Sequence, residues 1–141
     1  MLKNIPKVLS PELLKVLSEM GHGDEIVLGD GNFPAASMAK RLVRADGIPM
    51  PQLLDAILTV FPLDQYDSNH FVLMDLVPGD TVNPVIWKEY EQILHKHEPN
   101  SSMEFIERFS YYERANKAYA VVATGEEAQY ANIILKKGCV L

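Results

Sequence analysis

The run from Ser10 to Asp30, SPELLKVLSEMGHGDEIVLGD, decides the fold, because its hydrophobic period changes from helical to extended across one short turn. Ser10 is of the residue type that caps helix N-termini. Pro11 suits the first helical position, where no amide hydrogen bond is lost, and Glu12 complements the positive end of the helix dipole. Leu13, Leu14, Leu17 and Met20 then recur at helical spacing, which predicts an amphipathic helix ended by Gly21. Ile26-Val27-Leu28, bounded by Asp24 and Gly29, is a short apolar run rich in β-formers and predicts a buried strand. Helix followed by buried strand is the unit of an α/β domain.

The same alternation continues along the chain. Asp30 to Met38 reads as a loop by composition, and a short strand is expected around Leu42-Val43. Pro51 opens a helix whose stripe is Leu53, Leu54, Ile57, Leu58 and Phe61, and Pro62 stops it. Phe71 to Val77 has strand character and Pro78-Gly79-Asp80 is a turn. After Pro84, Ile86, Tyr90, Ile93 and Leu94 form another helical stripe. Phe105-Ile106 is strand-like, Tyr111 to Lys117 is expected to be helical, and Ala118 to Ala123 and Ile133 to Leu135 are the last strands. With no internal repeat and no long linker, residues 1–141 read as one α/β domain, a largely parallel sheet flanked by helices.

Composition narrows the partners. The formal net charge is −6 and no basic block is present, which argues against nucleic acid and against an anionic membrane surface. No stretch approaches the roughly 18 apolar residues of a membrane span. The single cysteine, Cys139, cannot form an internal disulfide and reads as a small apolar residue in or after the last strand. The chain is expected to be soluble and cytoplasmic, and a neutral polyol is a ligand to which its charge is indifferent.

Four histidines differ in context. His70 lies in a polar loop, while His95 and His97 lie at a helix end, where a cation is favourable. Two residues apart, they fall on different sides of the helix, and no Cys or carboxylate cluster completes a metal site. His22 is flanked by Gly21 and Gly23 in the helix-to-strand turn, where the backbone can bend tightly and a ligand can approach. An imidazole there suits acid–base catalysis, and a plain surface histidine in a connecting turn suits the pattern equally well. Asp30 ends the first strand, where α/β sheets bind ligands, though Asp-Gly is also an ordinary turn pair. Arg108, Tyr111 and Tyr112, and the run Tyr130-Ala131-Asn132, offer aromatic faces and amides of the kind that sugars use.

At this point the pattern becomes specific. The chain resembles the fucose mutarotase and ribose pyranase family along nearly its whole length. The matching stretches are residues 9–25, Asn32-Phe33-Pro34, Arg44-Ala45-Asp46-Gly47, Arg108-Phe109, Tyr112-Glu113-Arg114-Ala115, Thr124-Gly125-Glu126 and residues 130–138. The resemblance implies a ring-shaped homodecamer with sugar sites between neighbouring subunits, and no cofactor or metal. By that likeness His22 is the catalytic histidine, Asp30 and Arg108 contact substrate, and Tyr130, Ala131 and Asn132 form a substrate-binding tripeptide. Tyr112 lies one helical turn beyond Arg108 and joins them if the segment is helical. Phe33, Arg108 and Tyr111-Tyr112-Glu113-Arg114 look like the fucose branch, whereas Ala131 looks like the ribose branch. Anomer exchange needs only proton transfers, which fits a chain with an acid–base residue and no nucleotide motif. A D-ribose pyranase and a non-catalytic monosaccharide-binding protein are the alternatives; the latter would keep Asp30, Tyr130 and Asn132 without needing His22.

Overall fold

Ser10 does cap the first helix: its hydroxyl accepts a hydrogen bond from the Leu13 amide at 3.1 Å, and α1 runs Pro11–Glu19. The computed structural model describes residues 1–141. After α1 come β1 (Glu25–Gly29), α2 (Ala35–Met38), β2 (Leu42–Ala45), α3 (Met50–Val60), β3 (Phe71–Met74), α4 (Ile86–His97), β4 (Glu104–Ile106), α5 (Arg108–Lys117), β5 (Ala120–Thr124) and β6 (Ile133–Lys136). The six strands form one sheet in the order β2-β5-β1-β6-β3-β4. Apolar side chains cover both faces. Leu13, Leu17, Leu53, Ile57, Tyr90 and Leu94 from α1, α3 and α4 pack on one side, and Phe33, Tyr111 and Ala115 on the other.

The sheet is mixed: five of its strands point the same way, as expected of a largely parallel sheet, and one is reversed. β1 and β2 pair parallel with β5, and β3 pairs parallel with β4, but β6 runs antiparallel to both of its neighbours, β1 and β3. The reason lies in the connection. Parallel strands need a crossover of a dozen or more residues, usually helical, and the short loop between Thr124 and Ile133 holds no helix. The strand therefore returns in the opposite direction. Its residues Ile133, Ile134 and Leu135 are fully buried in the middle of the sheet.

Other differences are local. The expected loop from Asp30 to Met38 contains the one-turn α2, and β3 ends at Met74 instead of Val77. Helix α5 starts at Arg108 instead of Tyr111, because Glu107 caps it by accepting from the Phe109 and Ser110 amides at 3.0 and 3.1 Å. Glutamate is not among the preferred N-cap residues, so composition hid this start.

Past its end, β6 continues as a brace. The Asp64 amide donates to the Lys136 carbonyl at 3.0 Å, and the Gly138 amide donates to the Pro62 carbonyl at 2.8 Å. A Cβ on Gly138 would collide with the Leu63 carbonyl, so only glycine allows this approach. Gly138→Ala is expected to destabilise the fold by about 1–3 kcal/mol, the usual cost of overpacking, read from the urea midpoint; an unchanged midpoint would contradict the brace.

Candidate functional site

The carboxyl ends of β1, β3 and β4 and the amino end of β6 meet at one edge of the sheet, so the residues leaving those strands converge there. Asp30 leaves β1, Arg108 and Tyr112 begin α5 after β4, and Tyr130 and Asn132 lead into β6. Together with Asn32, Met74, Val77 and Gln129 they line a cleft of about 340 Å³. That volume lies at the small end of the roughly 300–1,000 Å³ of ligand pockets. A larger groove of about 610 Å³ runs along the N-terminal segment, but its lining is mainly Leu2, Ile5, Pro6, Leu9 and Leu14, with Lys7 as its one charged side chain. Polar groups converge only in the smaller cleft of the two.

Several side chains there are held from behind. The Asn132 carboxamide oxygen accepts from the Asp30 amide at 2.7 Å, tying the two sides of the cleft together. Asp30 turns its own carboxylate to accept from the Asn32 amide at 2.9 Å. Tyr130 adopts a left-handed backbone with φ of 56°, a conformation that costs a non-glycine residue energy and persists only where its surroundings enforce it. The enforcing contacts are visible: the Trp87 indole donates to the Tyr130 carbonyl at 2.8 Å, and the Tyr130 hydroxyl donates to Asp80 at 2.5 Å and accepts from the Val77 amide at 3.2 Å. Arg108 and Tyr112 share one face of α5, as their spacing requires, and the Tyr112 ring stacks at 17° on Phe33.

Three residues expected at the site, Ala131, Tyr111 and His22, do not line the cleft. Ala131 is fully buried and does not line the cleft; its carbonyl accepts from the Tyr90 hydroxyl at 2.8 Å. Its contribution is to fix the backbone between Tyr130 and Asn132. Tyr111 is likewise a core residue. Trp87 packs in its own chain against Phe105, with ring centroids 4.7 Å apart.

His22 lies at the opposite edge of the sheet. It precedes β1, whereas Asp30 follows it, and six residues of extended chain from Asp24 to Asp30 span about 20 Å. The turn carrying His22 is pinned by reciprocal bonds, Gly23 amide to Lys137 carbonyl and Lys137 amide to Asp24 carbonyl, each 2.8 Å. Gly23 has φ of +89°, which only glycine adopts readily. The imidazole Nε2 is 3.0 Å from the Asp64 carboxylate, and the ring lies 5.5 Å from that of the exposed Tyr66. One copy of the chain thus assembles the polar cleft but not the histidine with it. Asp64 and Asp80 escaped the sequence reading: Asp80 read as a turn residue, and Asp64 falls in a stretch with no periodicity.

The two aspartates that face these groups are tuned in opposite directions. Burial pushes the Asp30 carboxyl above its ordinary range, helped by nearby Glu126 and opposed by the Asn32 and Phe33 amides. Burial also acts on Asp64, but the Tyr66 amide, His22 and Lys136 outweigh it and hold that carboxyl below the ordinary range.

A family model described as the RbsD / FucU transport protein family matches residues 3–140. The protein named fucose mutarotase from Danio rerio is 53% identical over 145 residues, covering 99% of this chain and 94% of that one. Its namesake from Mus musculus is 54% identical over 143 residues, covering 97% and 94%. The crystal structure of the Streptococcus pneumoniae fucose mutarotase in complex with L-fucose superposes with a TM-score of 0.93 at 52% identity, covering 99% of this chain and all of that one.

The raised Asp30 predicts a pH signature. Its folded state resists ionisation, so stability is fully present below the ordinary carboxylate range and is lost as pH rises through the elevated value. Asp30→Asn keeps the acceptor for Asn32 and removes that loss. Thermal melts should show the variant gaining on the parent as pH rises from 3 to 7, and a gain independent of pH would contradict this.

Proposed function

The chain belongs to the RbsD / FucU transport protein family, and on that premise we propose that it is an L-fucose mutarotase, an isomerase that interconverts the α and β anomers of the free sugar. One observation carries the reading: a cleft in which Asp30, Arg108, Tyr112, Tyr130 and Asn132 converge, in a chain with this likeness to fucose mutarotases. A carboxyl, a guanidinium, two phenols and a carboxamide can each pair with a vicinal hydroxyl, while aromatic faces cover C–H groups.

Anomer exchange opens and recloses the pyranose. The O1 hydroxyl loses its proton and its electron pair forms the aldehyde. The C1–O5 bond breaks, and the ring oxygen takes up a proton. The aldehyde rotates about C1–C2, and the reverse steps close the ring on its other face. No electrons leave the sugar and no group is transferred. His22 takes the O1 proton on opening and donates it to the ring oxygen, and the proton retraces that path on closing, while the cleft residues hold the remaining hydroxyls. A positioned acid–base group contributes about 10²–10⁴-fold.

Because His22 and Asp30 lie beyond opposite ends of β1 in one copy, the complete site is formed between protomers, the histidine of one copy entering the cleft of the next. Contacts of that head-to-tail kind build a ring when the rotation between copies closes, and the proposed assembly is a homodecamer. The exposed Tyr66 beside His22 and the exposed Phe109 beside Arg108 support it, since each half-site carries an aromatic side chain that its own chain does not cover. No helix is long and apolar enough to cross a membrane, and the reading puts the reaction in the cytoplasm. Ala131, the residue most like the ribose branch, is fully buried and its side chain does not line the cleft, so it does not argue for ribose over fucose.

Saturation-transfer NMR on L-fucose and D-ribose with one sample tests the reading. Faster exchange of fucose anomers, lost by about 10²–10⁴-fold in His22→Ala, is expected, with light scattering showing a decamer. Tight sugar binding without faster exchange would instead establish a non-catalytic binding protein, and a preference for ribose ring exchange would establish a pyranase.

A further inference from the structure

The His22 turn does not stand alone at its edge of the sheet. The extension of β6, Lys136 to Gly138, is bonded on one side to Gly23 and Asp24 and on the other to Pro62 and Asp64. One backbone rail therefore sets the positions of both the imidazole and the carboxylate before any ligand arrives. Asp64 is 3% exposed, whereas the His22 side chain is 46% exposed. A buried carboxylate thus backs a histidine whose outer side is open, and this contact is the one hydrogen bond the ring makes in its own chain.

We propose that Asp64 is the positioning residue of the proposed mutarotase site: it accepts a hydrogen bond from Nε2–H of His22, fixes the tautomer that leaves Nδ1 free for the sugar, and balances the imidazolium that forms whenever the ring holds the shuttled proton. The inference rests on the catalytic role of His22 and adds to it. A neutral imidazole has one donor nitrogen and one acceptor, so an ionised partner at Nε2 decides which is which. The same Oδ1 accepts from the Tyr66 amide at 3.1 Å, which stops the carboxylate from rotating. The other charged and titratable groups around the pair are Asp24, whose carboxylate is bonded to the Gly21 amide, Lys136, 4.0 Å from Asp64 and 2.8 Å from Asp67, Lys137, and the Tyr66 phenol. Lys137 is occupied by the Leu17 and Met20 carbonyls and does not reach across to compete for Asp64. The Tyr66 amide, His22 and Lys136 favour ionisation of Asp64 despite its burial.

The logic parallels the histidine–carboxylate pair of serine hydrolases, where removing only the carboxylate charge leaves geometry intact and costs up to about 10⁴-fold in turnover. No nucleophile is involved here; the pair handles one proton, so the expected loss is smaller.

Two substitutions separate charge from contact. Asp64→Asn keeps an acceptor for the Tyr66 amide and for Nε2–H but removes the charge; Asp64→Ala removes both. We expect Asp64→Asn to lower the saturated exchange rate of fucose anomers at least tenfold with KM unchanged, and Asp64→Ala to lower it further. In imidazole ¹⁵N NMR of the intact oligomer, the parent should show His22 protonated at Nε2 with Nδ1 unprotonated in its neutral form. The Asp64→Ala variant should show a mixture of tautomers. Parental exchange rates in both variants, or a parental His22 ¹⁵N spectrum in Asp64→Ala, would overturn the positioning role. If His22→Ala itself exchanges fucose as fast as the parent, the enzyme reading and this inference fall together; if only the Asp64 variants are parental, this inference falls alone.

Discussion

The architecture depends on β6 running against the rest of the sheet. Inserted between β1 and β3, it pairs antiparallel with both, and its three central residues are fully buried. A strand reversed in that place has its beginning where its neighbours end. Tyr130 and Asn132 are therefore delivered to the carboxyl edge beside Asp30, and Lys136 to Gly138 emerge at the amino edge beside His22 and Asp64. One element thus organises two half-sites roughly 20 Å apart. The separation is not a defect of one protomer but the geometry that makes a second copy necessary on the proposed reading.

The two edges differ chemically as well. At the cleft, burial, helped by nearby Glu126, pushes the Asp30 carboxyl above its ordinary range. At the other edge Asp64 stays ionised although it is buried, because an amide, an imidazole and an ammonium group face it. Environments that push like groups in opposite directions assign them different work. On this account Asp30 binds and Asp64 supports proton exchange, while Asp80 keeps the strained Tyr130 in place by accepting from its hydroxyl.

Much of this was legible in the residues. The helix from Pro11, its serine cap, the strand through Ile26-Val27-Leu28 and the proline-bounded helix α3 all follow from local chemistry that tertiary packing does not override. The direction of β6 was not legible, because its apolar run has no polarity of its own; only the length of the preceding loop carries the signal. The start of α5 was hidden by an unusual glutamate cap. In the site, Asp30, Arg108, Tyr112, Tyr130 and Asn132 were anticipated together, and they do line one cleft. Asp64 was not, since its partner is 42 positions away and nothing local marks a carboxylate that works through a distant histidine.

The claim that each site draws its histidine from one copy and its cleft from another is tested most directly by complementation. His22→Ala and Arg108→Ala chains, each nearly inactive alone, are co-expressed in equal amounts and purified as mixed rings. Random assembly then places an intact His22 edge against an intact Arg108 cleft at about a quarter of the junctions, so about a quarter of parental fucose exchange should return. A mixture no more active than either variant alone would show that both halves act within a single chain, and the shared-site account would be wrong.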